Sequence, residues 1–222
     1  MNRITRWTTR FLAGFWILDG LLQLQPAMWT RQFVNSVLRP AAAGQPEFFH
    51  RVLVLGIILW CRMPVAADLS AALLQMAIGV LLLLPRAEWR RRGLYFSLAW
   101  GLAVWVMGEG LGGLLTSGAS IVIGLPGSAL IYVGLSWVLL TDRRRTREQQ
   151  MRWGLAGFWF IGAVFQARAY FWKPDALGRQ LSMVATTSGP AYLTHPIAVV
   201  ARWVTHSPMM TAYSDQLDHA FQ

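Results

Sequence analysis

Cysteine is almost absent from these 222 residues; Cys61 stands alone. That excludes an internal disulfide framework and any site built on several thiolates. At the edge of an apolar block, Cys61 reads as a small apolar filler. Charge is also scarce, at 14% of residues against roughly 25% in ordinary soluble domains. No HExxH, Ser-His-Asp or Cys-His constellation can be assembled, so no hydrolase or metallopeptidase chemistry is expected. No cleavable leader is expected either. The first apolar block carries Asp19, Gln23 and Gln25 and lacks a small-residue cleavage site, so it reads as a retained helix.

Histidine is missing from every long apolar block. His50, His195, His206 and His219 all fall between or after them. Haem inside a helical bundle takes an axial His from a spanning helix, so haem is not expected. His195 and His206 read as interfacial polar groups, and no metal site is expected. The net charge of +10 raises nucleic acid as a partner. However, the basic residues come in short runs between apolar blocks, as cytoplasmic loops do, and nucleic acid is not expected.

What the chain has in quantity is apolar surface: 55% of residues, with 12 Trp and 20 Gly. Trp favours membrane interfaces, and Gly is frequent in membrane helices. A bilayer core of roughly 30 Å needs about 20 mostly apolar helical residues. Five blocks meet or approach that length: Phe11 to Trp29, Val65 to Leu84, Leu94 to Leu115, Ile121 to Leu140 and Trp153 to Trp172. In the fourth, Gly124-Leu-Pro-Gly127 predicts a break; a start at Pro126 would leave 15 residues. Val52 to Cys61 is too short to cross and reads as an interfacial helix, with a re-entrant segment as the alternative. The expected fold is an all-α integral membrane bundle of about five transmembrane helices plus short interfacial helices.

Arginine counts orient it. Arg3, Arg6 and Arg10, then Arg86, Arg90, Arg91 and Arg92, then Arg143, Arg144, Arg145, Arg147 and Arg152 lie on one side in the five-span arrangement. That side is cytoplasmic, and residues 173–222 are expected outside, in a bacterial inner membrane. Trp7, Trp29, Trp60, Trp89, Trp153 and Trp172 fall near span ends as an aromatic belt.

The chain also repeats itself. Leu12-Ala-Gly-Phe-Trp16 recurs as Leu155-Ala-Gly-Phe-Trp159, with Gln23 matching Gln166 and Trp29 matching Trp172 at the same offset. After a two-residue shift, His50 aligns with His195. Residues 1–142 therefore read as a four-span unit with its interfacial helix near 52–62. Residues 143–222 read as a partial second repeat: one span, then an extracytoplasmic tail whose short surface helix begins at His195.

Three segments carry a family likeness: Trp16-Ile-Leu-Asp-Gly-Leu-Leu-Gln-Leu-Gln-Pro26, Ala43-Gly-Gln-Pro46 and Gly108-Glu-Gly-Leu-Gly-Gly-Leu114. Together they resemble a family of bacterial multi-span membrane proteins that has no assigned reaction and carries two four-span repeats. More distantly, the four-span unit is similar to DoxX/DoxD-like proteins. That similarity implies an association with sulfur or quinone redox chemistry, although no motif residue carries it.

Ionisable and amide groups inside apolar blocks are costly and so are the site candidates. Asp19 lies about 12 Å into the first span at 1.5 Å per residue, with Gln23 on the same face. Asp68 stands near the outer start of the second span, with Gln75 seven residues on. Glu109 lies about 22 Å into the third, among Gly108, Gly110, Gly112 and Gly113, where the backbone can unwind or neighbours approach closely. Gly108 and Gly112 also form a small-xxx-small pair suited to plain helix packing. One reading is an outward-opening pocket of Asp68, Glu109, Gln23 and Gln75 for a cation, a proton or a polar ligand. The plainer reading is that these groups satisfy one another and Arg31, Arg51 or Arg62. An unwound turn beside Glu109 would mark an ion or ligand site; a straight, packed helix would not.

The functional expectation is an integral membrane component without catalytic machinery, structural or accessory. The alternatives are a small transporter or ion- or proton-conducting protein using the carboxylates, and a quinone-linked redox subunit. Its partners are the lipid bilayer and other membrane subunits or further copies of itself.

Overall fold

A computed structural model describes residues 3–116, 124–141, 144–168, 176–186 and 191–205. Among them every regular element is helical and no strand occurs. The principal helices are α1 (Arg3–Gln23), α4 (Glu47–Arg62), α5 (Pro64–Leu83), α6 (Ala87–Ala103), α7 (Ala129–Leu140), α8 (Arg144–Gln166), α9 (Ala176–Thr186) and α10 (Ala191–Thr205). Two short pieces, α2 (Arg31–Phe33) and α3 (Arg39–Ala42), are joined by a π-helical turn, Val34–Leu38.

Local chemistry explains the boundaries. Pro46 precedes α4, Glu47 occupies its first turn and Arg62 its last, so both charges complement the helix dipole. Arg51 pairs with Glu47 one turn away at 2.9 Å. Pro64 opens α5, where its missing N–H is no loss, and α5 ends at Leu83, just before Pro85. The short apolar helix expected over Val52 to Cys61 is thus longer at its front, because Pro46 and Glu47 supply a start signal that apolarity alone does not register.

Only Pro64–Leu83 is both long and uniformly apolar enough to cross a membrane among the described residues, with Ala129–Leu140 a shorter apolar helix. The other expected spans differ in outline. The first block is helical from Arg3 to Gln23 and then tightens into a 3₁₀ turn, Pro26–Trp29. The third continues α6 through a π-helical turn, Val104–Gly108, and stops at Glu109. The fourth begins at Ala129, later than Pro126, which leaves 12 residues. The fifth is helical over Arg144–Gln166; residues 169–172 of it lie outside the described ones.

Four helices enclose the core. Gly20 of α1 faces Ala72 and Met76 of α5, and Gly79 of α5 faces Ala13 and Ile17 of α1, which fixes an antiparallel pair. A Cβ on Gly20 would sit 2.6 Å from Met76 Cγ and 2.9 Å from the Ala72 carbonyl oxygen. Gly93 of α6 packs on Leu81 and Leu82 of α5, and Gly101 of α6 on Val133 of α7. The circuit closes where Trp16 of α1 meets Tyr132 of α7 at 4.6 Å between ring centroids. Leu12, Ala13, Trp16, Ile78, Leu82 and Leu94 form the apolar core. A second cluster, Ala42, Phe49 and Leu53, holds α4 against Val106, Met107 and Leu111. At the start of α8, Arg147 donates to Thr5 Oγ1 at 2.7 Å and to the Thr141 carbonyl at 2.6 Å.

The repeated pentapeptide has two environments. In α1, Leu12, Ala13 and Trp16 are buried against α5, whereas in α8 Leu155 and Trp159 are each 61% exposed. In the tail, α9 and α10 pack on each other. His195 lies inside α10, beside Pro196, and does not begin a helix. His206 and His219 lie outside the described residues.

Candidate functional site

The face of α5 turned into the bundle carries Asp68, Ala71, Ala72, Gln75, Ile78, Gly79 and Leu82. This spacing of three and four residues is that of one helical stripe. Two of its members are polar. Asp68 is wholly buried and Gln75 is 5% exposed, with their Cα atoms about 10 Å apart along the axis. Because Gly20 lies against Ala72 and Met76 and Gly79 against Ala13 and Ile17, the antiparallel register sets Gln23 opposite Ala71, one turn from Asp68, and Asp19 opposite Gln75. Both carboxylate oxygens of Asp68, Gln75 Oε1 and Gln23 Oε1 are buried without a hydrogen-bond partner in the protein. All four atoms are acceptors.

Asp19, one turn before Gln23, is half-buried and hydrogen-bonds with the Tyr132 hydroxyl. Below it, Trp16 Nε1 donates to Ser97 Oγ at 2.7 Å, and Ser97 Oγ lies 2.7 Å from Ser136 Oγ. Ser97 and Ser136 are wholly buried. From the Asp68 end inward, the bundle therefore holds a column of polar groups on α1, α5, α6 and α7. Past Trp16 it is closed by Leu12, Ala13, Ile78, Leu82 and Leu94.

Glu109 has a different setting. The helix does unwind beside it: Gly110, Leu111, Gly112 and Gly113 have φ of 55°, 58°, 61° and 76°. This left-handed region is easily reached by glycine and rarely by other residues. The freed carboxylate is not left empty-handed. Glu109 Oε1 accepts from the Ser128 hydroxyl, and the Ala129 N–H donates to Oε1 at 3.1 Å and Oε2 at 3.2 Å. Ala129 opens α7, so Glu109 caps that helix from 20 residues away and places its charge at the positive end of the dipole. The loop is pinned twice more, by Trp105 Nε1 donating to the Pro126 carbonyl at 2.7 Å and Gln45 Nε2 donating to the Gly110 carbonyl at 2.9 Å. Gly108 and Gly112 do not form a packing stripe, because the helix ends between them.

Glu109→Ala leaves the Ala129 N–H and the Ser128 hydroxyl without their acceptor, a loss of about 1–3 kcal/mol. Glu109→Gln keeps one oxygen and loses less. Thermal unfolding reads both, and equal midpoints for parent and Glu109→Ala would overturn the capping role.

The structure thus separates the candidates. Asp68, Gln75 and Gln23 share one side of the column, Asp19 joins it through Tyr132, and Glu109 serves the fold. Among the described residues no ion pair reaches Asp19, Asp68 or Glu109. Arg51 spends its guanidinium on Glu47. No group of three His, Cys, Asp or Glu that could hold a metal ion occurs among them.

Comparison with protein-family models, curated proteins and solved structures found no match. The site must be read from its own chemistry.

Sequence reasoning that looked only for charges and amides missed Tyr132, Ser97 and Ser136. A signal was present. Each is a hydroxyl inside an apolar run, and Ser136 and Tyr132 are spaced four apart, on one face of α7.

Proposed function

We propose that this chain is a multi-span helical membrane protein that binds a proton or a small monovalent cation inside its bundle at Asp68. The carrying observation is a wholly buried carboxyl group with both oxygens unpartnered. An ionised carboxylate in that position costs several kcal/mol. Asp68 is therefore stable there either holding a proton or facing a cation. Gln75 Oε1 and Gln23 Oε1 are further unpartnered acceptors along the same column, and a single negative charge suits a monovalent ion.

The distribution of residues supports the membrane placement. Asp68, Gln75, Ser97 and Ser136 point inward, while Trp7, Phe11, Leu21, Leu55, Leu73, Ile131, Trp153 and Phe160 are 53–76% exposed. Polar groups inside and large apolar groups outside are the arrangement lipid favours. In this reading the spans run along α1, α5, α6, α7 and α8, the arginine-rich ends face the cytoplasm, and the tail lies outside. Asp68 then sits toward the outer surface. The apolar closure past Trp16 makes the column a blind one, so the ion enters and leaves by the same side unless the helices move.

A second reading, an accessory subunit without ion traffic, is favoured by Glu109 alone, whose fully used carboxylate is a structural device.

Two measurements test the proposal. The purified chain should need detergent to stay monodisperse; behaving as a monomer in plain buffer would remove the membrane setting. In reconstituted vesicles, proton or sodium uptake should depend on Asp68 and vanish in Asp68→Asn. Unchanged uptake in that variant would remove the ion site.

A further inference from the structure

At the opposite, arginine-rich end of α5 lies a groove of about 570 Å³, within the 300–1,000 Å³ range of small-molecule sites. Leu81 of α5 and Trp89, Arg92, Tyr95, Phe96 and Ala99 of α6 line it. The α6 residues recur at three and four, so they form one stripe. The stripe changes character along its length: Leu81, Phe96 and Ala99 are apolar, while Trp89, Arg92 and Tyr95 carry polar tips. The Arg92 guanidinium lies over the Trp89 ring, 4.8 Å from its centroid. No carboxylate of the described residues pairs with it; Glu88, four positions earlier, does not.

We infer that this groove is a binding site for one anionic phospholipid, with the phosphate on Arg92 and an acyl chain along Leu81, Phe96 and Ala99. The inference rests on the membrane placement proposed above and is independent of Asp68. Four features of the groove fit that occupant. Its charged end is cationic and open to a diester phosphate, which Arg binds through two parallel N–H donors. The indole beneath it holds the guanidinium in place without neutralising it. The apolar end continues along α6 through Phe96 to Ala99, so an acyl chain follows the direction it already takes in a bilayer. Trp and Tyr beside the phosphate occupy the headgroup level they favour. A zwitterionic lipid brings its own cation to Arg92, so the site discriminates by charge.

The detergent-purified full chain tests this by native mass spectrometry, with phosphatidylglycerol and phosphatidylcholine offered as an equimolar pair. The expected result is one retained phosphatidylglycerol per chain, in excess over phosphatidylcholine. Arg92→Gln should cut that retention about fivefold, the scale of one basic residue near an anionic surface, and Trp89→Ala should lower it too. Arg92→Lys, which keeps the charge without the bidentate fork, should fall between. Arg62→Gln removes the same charge at the other end of α5 and should change nothing. Equal retention of the two lipids, or an equal loss in Arg62→Gln, would overturn the inference. So would displacement of the lipid by millimolar inorganic phosphate, since the acyl groove would then contribute nothing. If Arg92→Gln does not fold, the lipid competition in the parent and the Arg92→Lys variant decide. A chain that needs no detergent would instead defeat the membrane placement itself.

Discussion

Asp68→Asn is expected to abolish proton or cation uptake while leaving the bundle folded. The amide matches the carboxyl in size, so the contacts of Asp68 with its buried surroundings survive, and no cavity opens beside Ala71 and Ala72. What changes is charge. Asparagine can neither carry a proton nor neutralise a cation, and a charge-assisted contact of about 1.5–3 kcal/mol is lost, roughly a ten- to hundredfold fall in affinity. Vesicles containing the variant and a trapped pH-sensitive dye should match empty vesicles, whereas the parent should respond to an imposed gradient. Glu109→Gln supplies the contrast: its cost should fall on thermal stability, and uptake should remain. If Asp68→Asn also left uptake intact, or if both variants lost stability and uptake alike, the carboxyl groups would be structural and the ion site would be withdrawn.

The division between those two carboxylates was only half legible in the sequence. Asp68 and Gln75 could be paired from their seven-residue spacing, because helical periodicity alone puts both on one face. Glu109 could be recognised as out of place, and the glycines around it as a point either of unwinding or of close helix packing. Its partner could not be found. Ser128 and Ala129 lie in a loop and at a helix start nearly 20 residues later, and only the tertiary turn of the chain brings them to the carboxylate. A carboxylate beside an unwound turn is therefore ambiguous until its acceptor capacity is accounted for.

Helix positions were legible for the same reason as the stripe on α5: apolar runs are the primary signal. Their edges were displaced wherever helix and apolar run do not coincide. Arg3 to Arg10 and Arg144 to Arg152 are helical although polar, since arginine is a good helix former, so α1 and α8 begin earlier than their apolar blocks. At Gly124-Leu-Pro-Gly127 the expected break is present, but α7 waits for Ala129, where Glu109 can cap it. The repeat offers the sharper lesson. Identical residues in α1 and α8 have opposite burial, so the pentapeptide specifies a surface capable of packing and the neighbouring helix decides whether it does.

Gly112→Ala should be the most damaging substitution in the glycine-rich turn, and the four glycines should differ in a set order. Two penalties apply. A left-handed backbone costs an L-residue roughly 1–2 kcal/mol, and forcing atoms into filled space costs about 1–3 kcal/mol more. Gly112 incurs both: its φ is 61°, and an added Cβ would overlap the Pro126 carbonyl and sit 2.6 Å from the Gly127 nitrogen. Those contacts are backbone and cannot swing aside. Gly110 is similar, with φ 55° and the Ala41 carbonyl in the way. Gly113 bears the first penalty alone, since at φ 76° its nearest neighbour is Thr116 Oγ1 at 3.5 Å. Gly108 bears neither; Val104 Cγ1 stands at an ordinary 3.6 Å. Thermal midpoints in detergent should therefore fall most for Gly112→Ala and Gly110→Ala, modestly for Gly113→Ala and hardly at all for Gly108→Ala. Because the 126–127 loop positions Ser128 and Ala129 over Glu109, Gly112→Ala should also make Glu109→Ala nearly silent in the double variant, the non-additivity expected of coupled contacts. A uniform response across the four positions, or a Gly108→Ala variant as unstable as Gly112→Ala, would mean that the segment is a straight packed helix and that Glu109 does not cap α7.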